Sequence, residues 1–300
     1  MDDIGLTNEL ILKIFEGIEL QYEGRIKVPK TFIQKILFKL RIENPEDKLL
    51  KEKIPFYWYN HGPFSETIHD GLEDLVDSET LFQDESKYYF LNTEELFFTK
   101  AGEYEEDIFK LLDKFSVFEL NVLVEDVYSN DAPVDFIPLY KRKLLEPLHK
   151  KTDFINDEEE FREKINLDEI IELLYDCECE IPFDILFHGY SRTFSTFTSI
   201  FDNIYEEISF RNFLNSLFYI DMMWYTFTKG LRIIEHDDIS LYNNKESFWR
   251  EDYFDKLNET NRKFEKLKLF EEKQSRNELI EYSVASKRIL TSTVGRYILD

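Results

Sequence analysis

The chain is poor in cysteine, which limits the disulfides and metal sites that could stabilise it. Its two cysteines, Cys177 and Cys179, are one residue apart, a spacing too short for an ordinary disulfide. Together with His188 they still fall short of the ligand patterns of known zinc sites, because neither a Cys-x-x-Cys pair nor a His-Glu-x-x-His helix occurs. We therefore expect no metal and a reducing, cytoplasmic location.

Glycine is also scarce, with 9 residues in 300, and no glycine-rich loop follows a strand and opens a helix. This absence argues against a nucleotide cofactor. Ser65, His61 and His69 are the residues from which a hydrolase could be assembled, but the segment offers neither an oxyanion hole nor a nucleophile elbow. We predict a protein without enzymatic activity and without cofactors.

Positive charge is in short supply overall. The formal net charge of −25 argues against nonspecific binding of nucleic acid by the whole surface. The charges are nevertheless segregated. Residues 25–41 lack acidic side chains, and residues 166–191 lack lysine and arginine. The basic segment carries Arg25, Lys27, Lys30, Lys35, Lys39 and Arg41, and the acidic segment carries Asp168, Glu169, Glu172, Asp176, Glu178 and Glu180.

Long apolar runs are missing as well. The chain begins Met1-Asp2-Asp3, without the basic and apolar regions of a signal peptide. The most apolar stretch, 213–234, is interrupted by Asn215, Asp221, Lys229 and Arg232, which are costly near the middle of a bilayer. We expect a buried helix there and no association with a membrane.

The composition is that of a folded chain of two domains. The length of 300 residues exceeds a typical single domain, and 43% of the residues are hydrophobic and 16% aromatic. The polar segment 149–163 indicates a boundary near residue 155. We predict an N-terminal domain over 1–152 and a helical domain over 160–300.

The pattern of the first half is that of helices followed by a hairpin. It predicts a helix over 7–20 capped by Thr7, and a basic helix after Pro29 whose apolar stripe leaves the lysines on the remaining face. An aromatic run over 54–64 then leads to a helix capped by Ser65. Segments 80–82 and 87–91 predict the two strands of a wing, and 97–102 leads into another helix. The fold class predicted is mainly α, with an α+β, winged-helix-like first half.

Three segments of this half match a known pattern in type and order. They are Lys35-Ile36-Leu37-Phe38, His61-Gly62-Pro63-Phe64-Ser65 and Thr99-Lys100-Ala101-Gly102. The run resembles the YwgA-like and Panacea (SocA-like) antitoxin families over the N-terminal half, with His61 where tyrosine is commoner. The resemblance implies a winged-helix-like regulatory module that acts by binding proteins, as in prokaryotic defence.

The second half lacks strand signals and reads as a helical bundle. Apolar residues recur at helical spacing over 167–174, 194–208, 213–225, 248–270 and in a last helix over 278–290. Periodicity alone explains burial of the phenylalanines, so we interpret the stripes as core rather than as a ligand pocket.

Two functions fit these observations. In the first, the chain controls a protein partner such as a basic toxin or effector, through candidate residues His61, Phe64, Ser65, His69, Glu172 and Asp176. In the second, Lys27, Lys30, Lys35, Lys39 and Arg41 place a winged helix on DNA as a transcriptional regulator. The helix after Ser65 carries Glu66, Asp70, Glu73 and Asp74, which phosphate would repel, and this favours a protein partner. A homo-oligomer is compatible with either function.

Overall fold

The computed structural model describes residues 5–22, 26–85, 88–92, 100–204 and 208–275. It is mainly helical with a small antiparallel sheet, as predicted. The chain forms two compact units: unit 1 comprises Met1–Pro133 and Thr228–Arg250, and unit 2 comprises Val134–Phe227 and Glu251–Asp300. This division differs from the predicted ranges 1–152 and 160–300, since it falls at Pro133 and returns a later segment to the first unit.

Unit 1 combines helices with all the strands of the described chain. The helices of its first segment are α1 (Leu6–Gln21), α2 (Lys30–Glu43), α3 (Lys48–Lys53), α4 (Glu66–Asp77), α5 (Glu105–Lys114) and α6 (Leu120–Asn130). Its strands are β1 (Val28–Pro29), β2 (Tyr57–Tyr59), β3 (Gly62–Phe64), β4 (Leu81–Gln83) and β5 (Tyr88–Leu91), and 3-10 turns span Lys100–Tyr104 and Val117–Glu119.

The predicted apolar stripes of the first two helices form the core of unit 1. Leu10, Ile14, Phe32, Ile33 and Ile36 are all fully buried. The predicted cap of α1 is wrong, because the helix begins at Leu6 and Thr7 Oγ1 instead donates to the carbonyl of Lys53 at 3.1 Å. Helical spacing located the helix correctly, but this hydroxyl found a partner far along the chain.

The strands form two antiparallel sheets. The predicted hairpin is confirmed: β4 pairs with β5 in the register Phe82↔Phe90, and β1 adds to the other edge of β5, giving the order β1-β5-β4. The aromatic run is a second hairpin, in which β2 pairs with β3 and Trp58 lies opposite Pro63.

Residues 228–250 belong to unit 1, where they form hydrogen bonds with β2 and with the segment that leads into it. The Asp237 carboxylate accepts from the Phe56 amide at 2.7 Å, and the Asp237 amide donates to the Phe56 carbonyl at 2.9 Å. The Trp58 amide donates to Glu235, and the hydroxyl of Tyr242, on the short helix α12 (Ser240–Asn243), donates to Pro55. These bonds span about 180 residues of sequence, which no local pattern could reveal.

Unit 2 is helical throughout its described residues. It contains a π-helix (Pro138–Leu145), a 3-10 turn (Ile185–Phe187), α7 (Glu146–Thr152), α8 (Glu158–Lys164), α9 (Leu167–Cys179) and α10 (His188–Ile204). It also receives the portions of α11 (Phe210–Ile234) and α13 (Glu246–Ser275) that precede Thr228 and follow Arg250. None of the helices in the described chain is long and apolar enough to cross a membrane.

Aromatic rings fill the core of unit 2, as the stripes predicted. Phe194, Phe197 and Phe201 are buried, and Tyr140 stacks on Trp224 with ring centroids 6.0 Å apart. The stripe predicted for α13 is wrong at Phe254, which is 44% exposed, whereas Leu257 and Phe264 are buried.

Several sequence predictions fall outside the described residues. These are Arg25, the segment 93–99 with its Thr99, and the last helix over 278–290.

Candidate functional site

The Gly-Pro junction, Gly62-Pro63 at the start of β3, is the best-defined polar site of unit 1. Gly62 has φ +86, a conformation that L side chains rarely adopt. A Cβ at this position would lie 2.9 Å from Lys35 Nζ and 3.4 Å from the Tyr128 ring. Glycine is therefore required here both by the backbone and by the close approach of the lysine.

Lys35 on α2 fixes this turn from inside. Its Nζ donates to the His61 carbonyl at 2.7 Å and to the Pro63 carbonyl at 3.1 Å. The residue is only 2% exposed, and burial lowers the pKa of Lys35 to about 7. Because both contacts are to backbone oxygens of one hairpin, the amine is placed to hold the turn rather than to attack a substrate.

Gln34 makes a second connection between α2 and the junction. Its amide nitrogen donates to the Ser65 carbonyl and its amide oxygen accepts from the Ser65 backbone N–H, both at 2.9 Å. Ser65 precedes α4, as predicted, but the predicted side-chain cap is wrong, because its Oγ lies 2.9 Å from Thr67 Oγ1 and makes no capping bond. Sequence reasoning missed Gln34 and Tyr128; a glutamine beside the motif lysine was the available signal.

The protein-binding candidates of unit 1 differ in their access to solvent. His61 is exposed, Phe64 is half-buried beneath Lys30 Nζ at 5.5 Å from the ring centroid, and His69 lies 3.4 Å from Glu73. Ser65 is fully buried. Ser65 is thus part of the fold of the junction, and the other three candidates reach its surface.

The acidic candidates lie in unit 2. Glu172 and Asp176 are both exposed on α9, one helical turn apart. They share one outward, solvent-exposed face of that helix.

The expectation that α2 presents its lysines to solvent is wrong for two of them. Lys35 is buried as described, and Lys39, 5% exposed, forms ion pairs with both Asp126 and Asp131. Burial opposes the charge of Lys39, but hydrogen bonds to the two aspartates outweigh it and raise its pKa. Neither ammonium group is presented to an external phosphate.

The remaining nucleic-acid candidates are distributed around the same helix. The Arg41 side chain is 13% exposed and pairs with Asp237. Lys27 precedes α2 and is 63% exposed, although its Nζ lies 2.5 Å from Asp84. Lys30, at the start of α2, is half-buried. Of the five described candidates, Lys27 has the most exposed side chain.

An aromatic cluster in unit 1 surrounds Arg232, which sequence reasoning assigned no role. Its guanidinium lies 5.0 Å from the Tyr59 ring centroid and 5.4 Å from that of Trp249. The residue is 8% exposed, so the rings stabilise a buried cation. The charged residue within the apolar stretch 213–234 was the available signal.

The described residues hold no group of three or more His, Cys, Asp or Glu side chains suited to a metal ion. Both cysteines lie on α9, where Cys177 is buried and Cys179 is exposed. Burial raises the pKa of the Cys177 thiol, which keeps it protonated and poorly reactive.

Comparison of the chain with models of known protein families, with curated proteins and with solved structures finds no match.

Proposed function

We propose that this chain is a non-enzymatic regulatory protein that binds and controls a protein partner, in the manner of an antitoxin or adaptor. The observation that carries the proposal is the inward placement of the α2 cations. Lys35 donates hydrogen bonds to the carbonyls of the β2–β3 hairpin. Lys39 forms ion pairs with Asp126 and Asp131. Binding of phosphate requires accessible cations, so the basic segment is a poor basis for a DNA-binding face.

The order of elements in unit 1 supports a winged-helix-like module. Helices α1, α2 and α4 are followed by the β4–β5 hairpin, an order that fits three helices and a wing, with α3 and the β2–β3 hairpin inserted between α2 and α4. In addition, Lys35 and Gly62-Pro63, which carry the resemblance to the antitoxin families, contact each other directly. Because these motif residues contact each other, their joint presence in the antitoxin families supports a similar local structure there and in this chain.

The third of these helices argues for a basic protein partner. α4 would occupy the place of a recognition helix, yet Asp70, Glu73, Asp74 and Asp77 are exposed on it. No lysine or arginine occurs between Glu66 and Asp77. Such a face repels nucleic acid and attracts a positively charged protein.

The alternative is a winged-helix DNA-binding regulator, for which Lys27 and Lys30 are the remaining candidates. Lys27 is the observation in its favour, because its side chain is largely exposed beside the start of α2. Substitutions at Lys35 or Lys39 cannot test this alternative, since a glutamate there would place a carboxylate in the interior of unit 1.

The test is affinity isolation of the tagged full chain from its native cells at moderate salt, with and without nuclease. Protein and nucleic acid are identified in parallel, and each binding reaction is rebuilt from purified components. We expect a stoichiometric, basic protein that survives nuclease treatment. A specific duplex whose affinity falls with Lys27→Glu and Lys30→Glu, but not with the matched surface change Lys150→Glu, would overturn the proposal in favour of the regulator.

A further inference from the structure

Two large apolar side chains of unit 2 stand almost entirely in solvent. Phe183 is 101% exposed and Ile185 is 84% exposed, and both lie in the connection between α9 and α10. Leu186 and Phe187, which follow directly, are buried at 5% and 0%. We call residues 183–185 the exposed loop. Isolated apolar side chains are ordinary at protein surfaces, but a fully exposed pair beside a buried pair calls for a reason.

The backbone beside these side chains is fixed by hydrogen bonds. The Asp184 carboxylate accepts from the Leu186 amide at 2.7 Å, and the Asp184 carbonyl accepts from the Phe187 amide at 2.9 Å. The buried hydroxyl of Tyr253 donates to the Leu186 carbonyl at 3.1 Å. The Phe187 ring lies 5.1 Å from Phe227 in the core. These hydrogen bonds restrain the backbone of the exposed loop, which reduces the conformational entropy lost when a partner binds.

The helix that leads into the exposed loop is acidic. No lysine or arginine occurs over residues 166–191. The preceding helix α9 and its end carry five exposed carboxylates, those of Asp168, Glu169, Glu172, Asp176 and Glu180. A surface that covers Phe183 comes close to Asp176 and Glu180, at the C-terminal end of α9, so positive charge on that surface favours binding. A second copy of the chain is disfavoured, since each copy has a net charge of −25.

We propose that Phe183 and Ile185 anchor a protein partner whose binding face carries lysine and arginine around an apolar cleft. The two side chains supply the desolvated centre of the interface and the carboxylates of α9 supply attraction at its rim. This inference rests on the proposed function and deepens it by naming the surface and the chemistry of the partner.

The experiment begins with a photoreactive phenylalanine analogue at position 183 of the full chain, expressed in the native cells. The same analogue at position 154 is the control, because Phe154 is 73% exposed in another loop of unit 2. The cross-linked protein is then purified separately, and its affinity for the full chain is measured with Phe183→Ala, Ile185→Ala and Phe154→Ala. Thermal unfolding of each variant establishes that the fold is retained.

We expect a basic protein joined at position 183 but not at 154. Its dissociation constant should rise roughly thirtyfold with Phe183→Ala and stay unchanged with Phe154→Ala. Reversal of charge with Asp176→Lys and Glu180→Lys should slow association, and this effect should shrink as salt rises.

Four results would overturn the inference. A partner that binds equally well to Phe183→Ala and Ile185→Ala would leave the proposed function intact and remove this surface from it. Cross-links from position 183 to a second copy, or to residues 276–300 of the same chain, would identify a different occupant. No cross-linked protein at position 183, with a partner recovered by affinity isolation, would also exclude the loop. Recovery of specific DNA without any protein partner would overturn both proposals together.

Discussion

Lys35 Nζ lies 2.7 Å from the carbonyl oxygen of His61, so the ammonium group of α2 sits directly beneath the turn that joins β2 to β3. The same nitrogen lies 3.1 Å from the Pro63 carbonyl. The sequence predicts Lys35 as a surface cation. In the structure it is buried and hydrogen-bonded to the His61-Gly62-Pro63 segment.

Lys35→Met should destabilise the protein by about 2–3 kcal/mol, because a side chain of similar length leaves the His61 and Pro63 carbonyls without their donor. The measurement is the free energy of unfolding in urea at pH 8, followed by circular dichroism. Lys27→Met is the matched control, and it should change stability by less than about 0.5 kcal/mol, since Lys27 is 63% exposed. Equal effects at the two positions would contradict the burial of Lys35.

The stability supported by Lys35 should depend on pH. Burial lowers the pKa of Lys35 to about 7, whereas an unfolded lysine titrates near 10.4. Between these values the unfolded chain binds more protons, so the penalty for the buried charge is full below pH 7 and is relieved as pH rises. Wild type should gain stability over Lys35→Met from pH 7 to 9, by at most about 1.4 kcal/mol per pH unit. A constant difference would mean that the amine is not desolvated.

Gly62→Ala should destabilise by about 1–3 kcal/mol, because alanine is strained at φ +86 and its Cβ would lie 2.9 Å from Lys35 Nζ. In a Lys35→Met background the loss should be smaller, because the contact with Lys35 Nζ is gone while the backbone strain stays. Gly102→Ala, where a Cβ meets no atom within 4 Å, is the control. Thermal unfolding of the four variants measures the coupling.

Lys39→Met should destabilise by about 3–5 kcal/mol, because it leaves the Asp126 and Asp131 carboxylates close together and largely buried without their shared cation. Asp131→Asn in the Lys39→Met background should recover part of the loss by removing one of the two like charges. Urea unfolding provides the comparison. If Lys39→Met is as stable as wild type, the ion pairs are not formed in solution.

His149 and Asp221 should titrate as a pair in unit 2. The ring Nε2 lies 3.0 Å from the Asp221 carboxylate, and this hydrogen bond raises the pKa of His149 above its usual 6.5. The pair's contribution is therefore full below about pH 6.5 and is lost as pH rises through the raised value. Asp221→Asn should lower the pKa of His149, as read from its ring proton by NMR. The other four histidine signals are the internal control.

Local patterns predicted the strongly periodic helices and the β4–β5 hairpin, but not α3, α6, α7 or the π-helix. The stripe of Phe194, Phe197 and Phe201 is buried, and the strands around the polar turn at Asp84 pair as a hairpin. Each of these features depends on residues within a few positions of one another, so periodicity and turn chemistry suffice to find it. The predicted helix caps were wrong, because the hydroxyls of Thr7 and Ser65 form hydrogen bonds with other partners.

The sequence by itself determined the helical character, the β4–β5 hairpin, the aromatic core and the excess of negative charge, since spacing and composition encode these directly. Only the tertiary structure decided which charges remain on the surface. Lys35 meets a carbonyl 26 residues away, and Arg41 pairs with Asp237, 196 residues away. A lysine that faces solvent and one that neutralises a distant buried group look the same in a local pattern, because their difference is set by what packs against them.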